Sequence, residues 1–217
     1  MRIIILGPPG SGKGTYSSRL AIKLGIPHIS TGDIFREEIK RGSELGNSIS
    51  NYVSSGKLVP DDVVNMVIEK RLSQEDCREG FILDGYPRTL NQAEFLDGIS
   101  KIDVVINLNV PKEVIVRRLS SRLICKNCGA IFNKITLPPK VEGICDKCGG
   151  ELYQREDDKP EIIRRRIELY EKEIAPLLEY YRKKGVILDF YESDGSGREI
   201  SLDQVIEKMV EALKKYL

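Results

Sequence analysis

A four-residue apolar run, Ile3 to Leu6, breaks directly into a glycine-rich loop that carries one lysine, Gly7-Pro8-Pro9-Gly10-Ser11-Gly12-Lys13-Gly14-Thr15. A run without polar alternation predicts a strand buried on both faces, as in a parallel sheet. Helical spacing resumes after Lys13, with Leu20, Ala21 and Leu24 on the core side. Strand, glycine loop and helix in that order form the setting of a phosphate-binding loop. Gly7, Gly10, Gly12 and Gly14 let the main chain approach a polyphosphate with no Cβ in the way. The loop N–H groups and the helix N-terminus, worth about half a positive charge, then face the anion. Lys13 adds a full charge aimed at the outer phosphates. A plain glycine turn would account for neither the lysine nor the order of elements.

The rest of the chain repeats the pattern. Phe81-Ile82-Leu83, Val104 to Leu108 and Val186-Ile187-Leu188 read as strands, with Pro27-His28-Ile29 as a shorter one. Helical stretches are predicted at about 31–42, 61–73, 89–98, 112–122, 160–183 and 202–216. Strands alternating with helices imply a parallel sheet covered on both faces, with ligands at the carboxyl ends of the strands. Two stretches interrupt the rhythm. Residues 30–59 are helical and polar with no strand, and residues 123–158 are rich in Cys, Gly and Pro.

Those 217 residues suit one core domain with insertions. Lys and Arg number 34 and Asp and Glu 33, for a net charge of +1. That balance argues against a general nucleic-acid or membrane-surface binder. The N-terminal apolar run is too short for a signal or a span, so a cytoplasmic chain is expected. A single histidine, His28, argues against a catalytic triad or a His-rich metal site.

Cys125-Lys-Asn-Cys128-Gly and Cys145-Asp-Lys-Cys148-Gly-Gly are two CxxC pairs sixteen residues apart, the spacing of a four-thiolate zinc ribbon. Two disulfides or four packed small residues are the alternatives, and a reducing compartment argues against the first. One structural zinc ion is therefore expected on Cys125, Cys128, Cys145 and Cys148. Cys77 lies far from the cluster in sequence and reads as a packed or surface thiol.

The loop Gly-x-Pro-Gly-Ser-Gly-Lys-Gly-Thr, with glycine where Ser or Thr more often follows the lysine, resembles that of adenylate kinases and close nucleoside monophosphate kinases. The cysteine pairs with their Gly149-Gly150-Glu151-Leu152-Tyr153-x-Arg155 continuation are similar to the same family, and the resemblance spans essentially the whole chain. It implies an α/β fold: a P-loop, three-layer parallel-sheet core from residues 1–29, 60–122 and 159–217. A helical AMP-binding arm (30–59) and a zinc-ribbon lid (123–158) would be inserted into it. The implied reaction is MgATP + AMP ⇌ 2 ADP, with ATP, AMP and ADP as ligands, Mg²⁺ accompanying ATP, no nucleic acid or membrane, and a monomeric chain. Kinases of other monophosphates and a nucleotide-dependent nucleic-acid binder are the rivals. Gln92 and the long lid weigh against the first. Residues 125–151 hold four lysines against three acids, with Phe132 the sole aromatic, which weighs against the second.

A phosphate acceptor is already anionic and needs no general base, so well-placed arginines are the residues to seek. Asp84-Gly85-Tyr86-Pro87-Arg88 follows a strand and falls at the substrate edge. The resemblance assigns AMP binding to Thr31, Arg36, Lys57, Leu58, Val59, Gly85, Tyr86, Pro87, Arg88 and Gln92, with Arg155 and Arg166 also reaching it. It assigns ATP binding to Gly10, Ser11, Gly12, Lys13, Gly14, Thr15, Arg118, Arg122, Ile131, Phe132 and Gly197, and catalysis to Lys13, Arg88, Arg122, Arg155 and Arg166. The family usually has Phe where Tyr86 stands, and more often Tyr near Phe132. Arg118 and Arg122, four apart, are expected on one helix face. Ile163, Ile167, Tyr170 and Ile174 form an apolar stripe that Arg166 borders, while Arg164 and Arg165 point away; Arg117, on another helix, reads like them as a solvated-face residue. Asp157 and Asp158 are expected to pair with lid arginines or to cap the helix at Pro160. Asp84, at a strand end, and Asp33 are candidates for the water shell of magnesium.

Overall fold

The computed structural model describes residues 1–191 and 201–216. In chain order it begins with β1 (Arg2–Leu6), α1 (Lys13–Leu24), β2 (His28–Ser30), α2 (Thr31–Arg41), α3 (Glu44–Ser55) and α4 (Asp61–Leu72). Next come β3 (Phe81–Asp84), α5 (Leu90–Ile99), β4 (Val104–Asn109) and α6 (Lys112–Ser120). Short strands β5 (Arg122–Cys125), β6 (Ile131–Asn133) and β7 (Leu152–Tyr153) precede the long α7 (Pro160–Lys183), then β8 (Ile187–Tyr191) and α8 (Leu202–Leu213).

Five strands form one parallel sheet in the order β2-β3-β1-β4-β8. The apolar runs are continuous because each strand feeds two cores. Ile3, Ile5, Ile82, Val104 and Ile106 pack on one side with Leu20 of α1 and Met209 of α8. Ile4, Leu6, Leu83 and Val105 pack on the other with Ile68, Leu96 and Tyr181 of α4, α5 and α7. Burying each such aliphatic side chain is worth about 1.5–3 kcal/mol. This three-layer core presents the carboxyl ends of β1, β2 and β3 at one edge, where the glycine loop, Thr31 and Asp84 sit. A second, antiparallel sheet, β6-β5-β7, is built from the Cys-rich stretch.

Three boundaries differ from the sequence reading. Residues 30–59 hold two helices where one was expected at 31–42. Gly42 ends α2 in the left-handed region at φ 65°, and Ser43 starts α3 by accepting the N–H of Gly46 at 2.9 Å. Ser30 caps α2, accepting from Asp33 N. The helix expected over 112–122 stops at Ser120, so Arg118 and Arg122 do not share a helix face. Ser121 Oγ lies 2.6 Å from Arg117 O, and Asn133 Nδ2 donates to Arg118 O at 3.0 Å. Side chains thus take the last carbonyls of α6, and pairing with Asn133 draws Arg122 into β5. The C-terminal helix ends at Leu213 and gives way to a 3₁₀ turn over Lys214–Tyr216. Among the described residues no helix is long and apolar enough to cross a membrane.

Gly46 marks where α3 meets α2, since a Cβ there would lie 2.2 Å from Glu38 O, whereas Gly98 in α5 has nothing within 4 Å. Gly46→Ala should therefore destabilise the protein by about 1–3 kcal/mol. Gly98→Ala should be neutral or stabilising by up to about 1 kcal/mol, because it only removes backbone freedom from the unfolded chain. Opposite shifts of the urea midpoint are the expected result.

Candidate active site and thiolate cluster

The glycine loop wraps the end of β1 around its own lysine. Gly10 and Gly12 lie in the left-handed region at φ 83° and 88°, and a Cβ on Gly12 would sit 2.8 Å from the Tyr16 ring. Gly12 is also the N-cap of α1 and supplies no side-chain acceptor, so no side chain caps that terminus. Lys13 Nζ donates to Gly7 O at 2.6 Å and Pro8 O at 2.9 Å. Burial pulls its pKa down to about 7, with Asp84 opposing and Arg88, Arg166 and Arg122 reinforcing. The Ser11 hydroxyl is buried in the same loop without a partner.

A single cleft of about 570 Å³ runs from this loop past Thr31, Arg36, Lys57 to Val59, Gly85, Pro87, Arg88 and Gln92. Arg118, Arg122, Ile131, Phe132, Arg155 and Arg166 close its other side. Eight cationic side chains line it against four acids. The consequence shows in the guanidinium groups. Burial, aided by Arg166, brings Arg88 down to about 10. Burial, aided by Arg36 and Arg122, does the same to Arg155. Arg166 is lowered as well, burial outweighing Asp157. Groups that make one another harder to protonate form a site for polyanions.

Carboxylates hold several of these arginines in place. Asp158, fully buried, accepts from Arg122 Nε at 2.8 Å and Nη2 at 2.5 Å, and from Arg166 Nη1 at 3.2 Å. Asp157 meets Arg166 at 2.9 Å. Asp158 thus pairs with Arg122 and Arg166, and Asp157 with Arg166 of α7 where a lid arginine or a helix cap was expected; the N-cap of α7 is Lys159. Arg166 is half-buried beside its stripe while Arg164 and Arg165 are exposed, as the helical phasing predicts. Arg165 nonetheless donates to Ser55 O at the end of α3.

Asp84 is buried at the end of β3, and its Oδ2 lies 3.4 Å from His28 Nε2. Asp33 is tied to Arg36 at 2.5 Å and faces Arg155 at 3.8 Å. Thr31 Oγ1 and Arg88 Nε both donate to Gly85 O. The Tyr86 side chain is fully buried in the core, its hydroxyl donating to Asn65 Oδ1 and Gln92 O. Phe132 is mostly buried in the small antiparallel sheet, while Ile131 is exposed on the cleft. Gly197, with Asp194 to Ser196, lies outside the described residues. Sequence reading missed Asp61, which binds Gln92 Nε2 at 2.6 Å. An acidic first turn of a helix is too common a pattern to have singled it out.

The four CxxC sulfurs lie within 4.8 Å of one another, with Cys125–Cys148 at 3.4 Å and Cys128–Cys145 at 3.6 Å. A tetrahedral shell with metal–sulfur bonds of about 2.3 Å spaces sulfurs about 3.8 Å apart, so the quartet fits one ion and no disulfide. Gly129 and Gly149, at φ 69° and 70°, permit the tight turn after each pair. The surrounding apolar core is small, chiefly Phe132 and Leu152 beside Cys125 and Cys145.

A family model described as "Adenylate kinase" matches residues 5–186. An adenylate kinase of Thermosipho melanesiensis is 51% identical over 220 residues, covering 99% of this chain and all of that protein. One from Archaeoglobus fulgidus is 50% identical over 219 residues with 99% and 100% coverage. A third, from Caldicellulosiruptor bescii, is 53% identical over 196 residues, covering 88% and 91%.

Two results should follow from this geometry. A polyphosphate anion beside Lys13 raises its pKa from about 7, so binding above pH 7 should take up a proton and binding below pH 6 should not. Calorimetry at pH 8 in buffers of differing ionisation enthalpy should detect that uptake. Cys145→Ser should lower the Tm and remove the capacity to bind a metal ion while activity survives in the cold, because the loop and the arginines of α7 lie outside the Cys-rich segment.

Proposed function

The chain belongs to the adenylate kinase family, and we propose that the residues gathered in its cleft divide the work of moving a phosphoryl group from ATP to AMP as follows. The enzyme is an ATP:AMP phosphotransferase whose reversible reaction yields two ADP. The surplus of cations lining one cleft carries the assignment of roles. Gly10 to Thr15 would cradle the ATP phosphates through main-chain N–H groups, with Lys13 leaving Gly7 O and Pro8 O to follow the transferred group. Arg118, Arg122, Ile131 and Phe132 would bind the rest of ATP from the lid side, joined by Gly197.

AMP would occupy the other half. Thr31, Arg36, Arg88 and the main chain of Lys57 to Val59 and Gly85 to Pro87 would enclose it, with Gln92 on the adenine edge. Gln92 gives one N–H to Asp61 and one lone pair to Arg88 N, so one donor and one acceptor remain for the base. Arg88, Arg122, Arg155 and Arg166 would spread the charge that develops on the equatorial oxygens, and no general base is needed. Magnesium suits the carboxylates of Asp84 and Asp33, which would order its water shell; when bound it neutralises charge on the nucleotide phosphates. Arm (30–59) and lid (123–158) would close over the two nucleotides and exclude water, suppressing ATP hydrolysis. The thiolate quartet leaves no open ligand position, so its ion, which we take to be zinc, would be structural. A cytoplasmic monomer is the matching setting.

Initial rates with AMP, CMP, UMP and GMP as acceptors test the acceptor assignment, and preference for AMP is expected. Lys13→Met should lower kcat by about 10²–10³ while AMP binding changes little. Arg88→Ala should chiefly raise the KM for AMP, and Arg166→Ala should chiefly lower kcat. A Lys13→Met enzyme with near-normal turnover would remove the loop lysine from the mechanism.

A further inference from the structure

Base recognition by one amide depends on which way round the amide sits, and the two ends of Gln92 are held differently. Its Oε1 accepts the main-chain N–H of Arg88 at 2.7 Å, and its Nε2 donates to Asp61 Oδ1 at 2.6 Å. The other oxygen of Asp61 accepts from Thr89 Oγ1 at 2.9 Å and Asn91 Nδ2 at 3.1 Å. Thr89 in turn caps α5 by accepting the N–H of Gln92 at 3.2 Å. Asp61 is the first residue of α4, so its main chain is fixed by a different element from the one that carries Gln92. The Gln92 side chain is almost wholly buried and lines the cleft.

A carboxylate only accepts, so Asp61 can face the amide nitrogen and never its oxygen. We infer that Asp61 is a positioning residue for base selectivity: by gripping Nε2 from α4 it fixes the donor–acceptor order that Gln92 presents to the acceptor nucleotide. The inference rests on the reading of Gln92 as the adenine contact. In the order so fixed, the free lone pair and free N–H match a base with an amino donor beside a ring-nitrogen acceptor, as in adenine. Hypoxanthine reverses both, with a carbonyl at the amino position and a protonated ring nitrogen. It would leave the buried Gln92 edge facing like against like, which is the strongest form of discrimination a hydrogen-bonding site offers. Without Asp61 the Arg88 N–H alone holds that order, so an amide turned to meet hypoxanthine forfeits one hydrogen bond instead of two.

The experiment is a double-mutant cycle read as the ratio of kcat/KM for AMP over IMP. Asp61→Ala should lower that ratio about tenfold, the scale of one well-placed hydrogen bond, with kcat at saturating AMP within about twofold of normal. In a Gln92→Ala background the same substitution should leave the ratio unchanged, since Asp61 acts through Gln92. Asp61→Asn keeps the size and one acceptor oxygen, should fold even if Asp61→Ala does not, and should lower the ratio by about threefold. A purely structural Asp61, merely tying α4 to α5, would lower the Tm and leave the ratio intact; that result, or an equal fall in both backgrounds, overturns the inference. If Gln92→Ala itself leaves the ratio unchanged, the reading of Gln92 fails first and the role of Asp61 with it.

Discussion

Excess positive charge in one cleft is the constraint around which this chain is arranged. Drawing Lys13, Arg88, Arg155 and Arg166 out of water beside one another costs free energy, and desolvation first, then the neighbouring arginines, lowers their pKa values. The fold meets that cost with a small number of carboxylates, of which Asp158 binds two guanidinium groups at once. It stops short of neutrality. Full pairing would give a more stable protein with no reason to bind a polyphosphate, so the residual charge is a stability deficit that nucleotides remove.

The parallel sheet makes such a cluster possible. Each strand is buried on both faces, so polar and charged groups can gather only at strand ends, and β1, β2 and β3 all end at the same edge. The glycine loop, Thr31 and Asp84 are neighbours because their strands are in register: Ile5 pairs with Asp84, and Ser30 does so from the other side. Arg122, Arg155 and Arg166 arrive from outside the sheet, on β5, on the return from the ribbon and on α7.

Much of this was legible from residue order alone, because buried strands and glycine loops are local signals. The apolar runs located the central strands to within a residue or two, and the period of α7 separated Arg166 from Arg164 and Arg165. Arg122 was misread because a spacing of four from Arg118 fits a helix face whether or not the helix continues. What ended α6 was pairing with Asn133, eleven residues further on. The break between α2 and α3 had a local mark, Gly42-Ser43, that was passed over when residues 30–59 were read as one helical and polar stretch. Asp61 left no mark at all. Its partners Thr89, Asn91 and Gln92 lie 28 to 31 residues away, and only the packing of α4 on α5 brings them together.

The grip of Asp158 on Arg122 has a further consequence. Arg122 opens the Cys-rich segment and Asp158 ends it, so a bidentate ion pair fastens the two ends of that segment to each other at its base. Everything between them hangs from a closed stem. The entropy of closing such a loop rises only with the logarithm of its length, about 0.6 kcal/mol per doubling. Insertions or deletions within the ribbon are therefore nearly free for the core. Selection could resize or restyle this cover without disturbing the sheet beneath it, a form of modularity set by a single buried carboxylate.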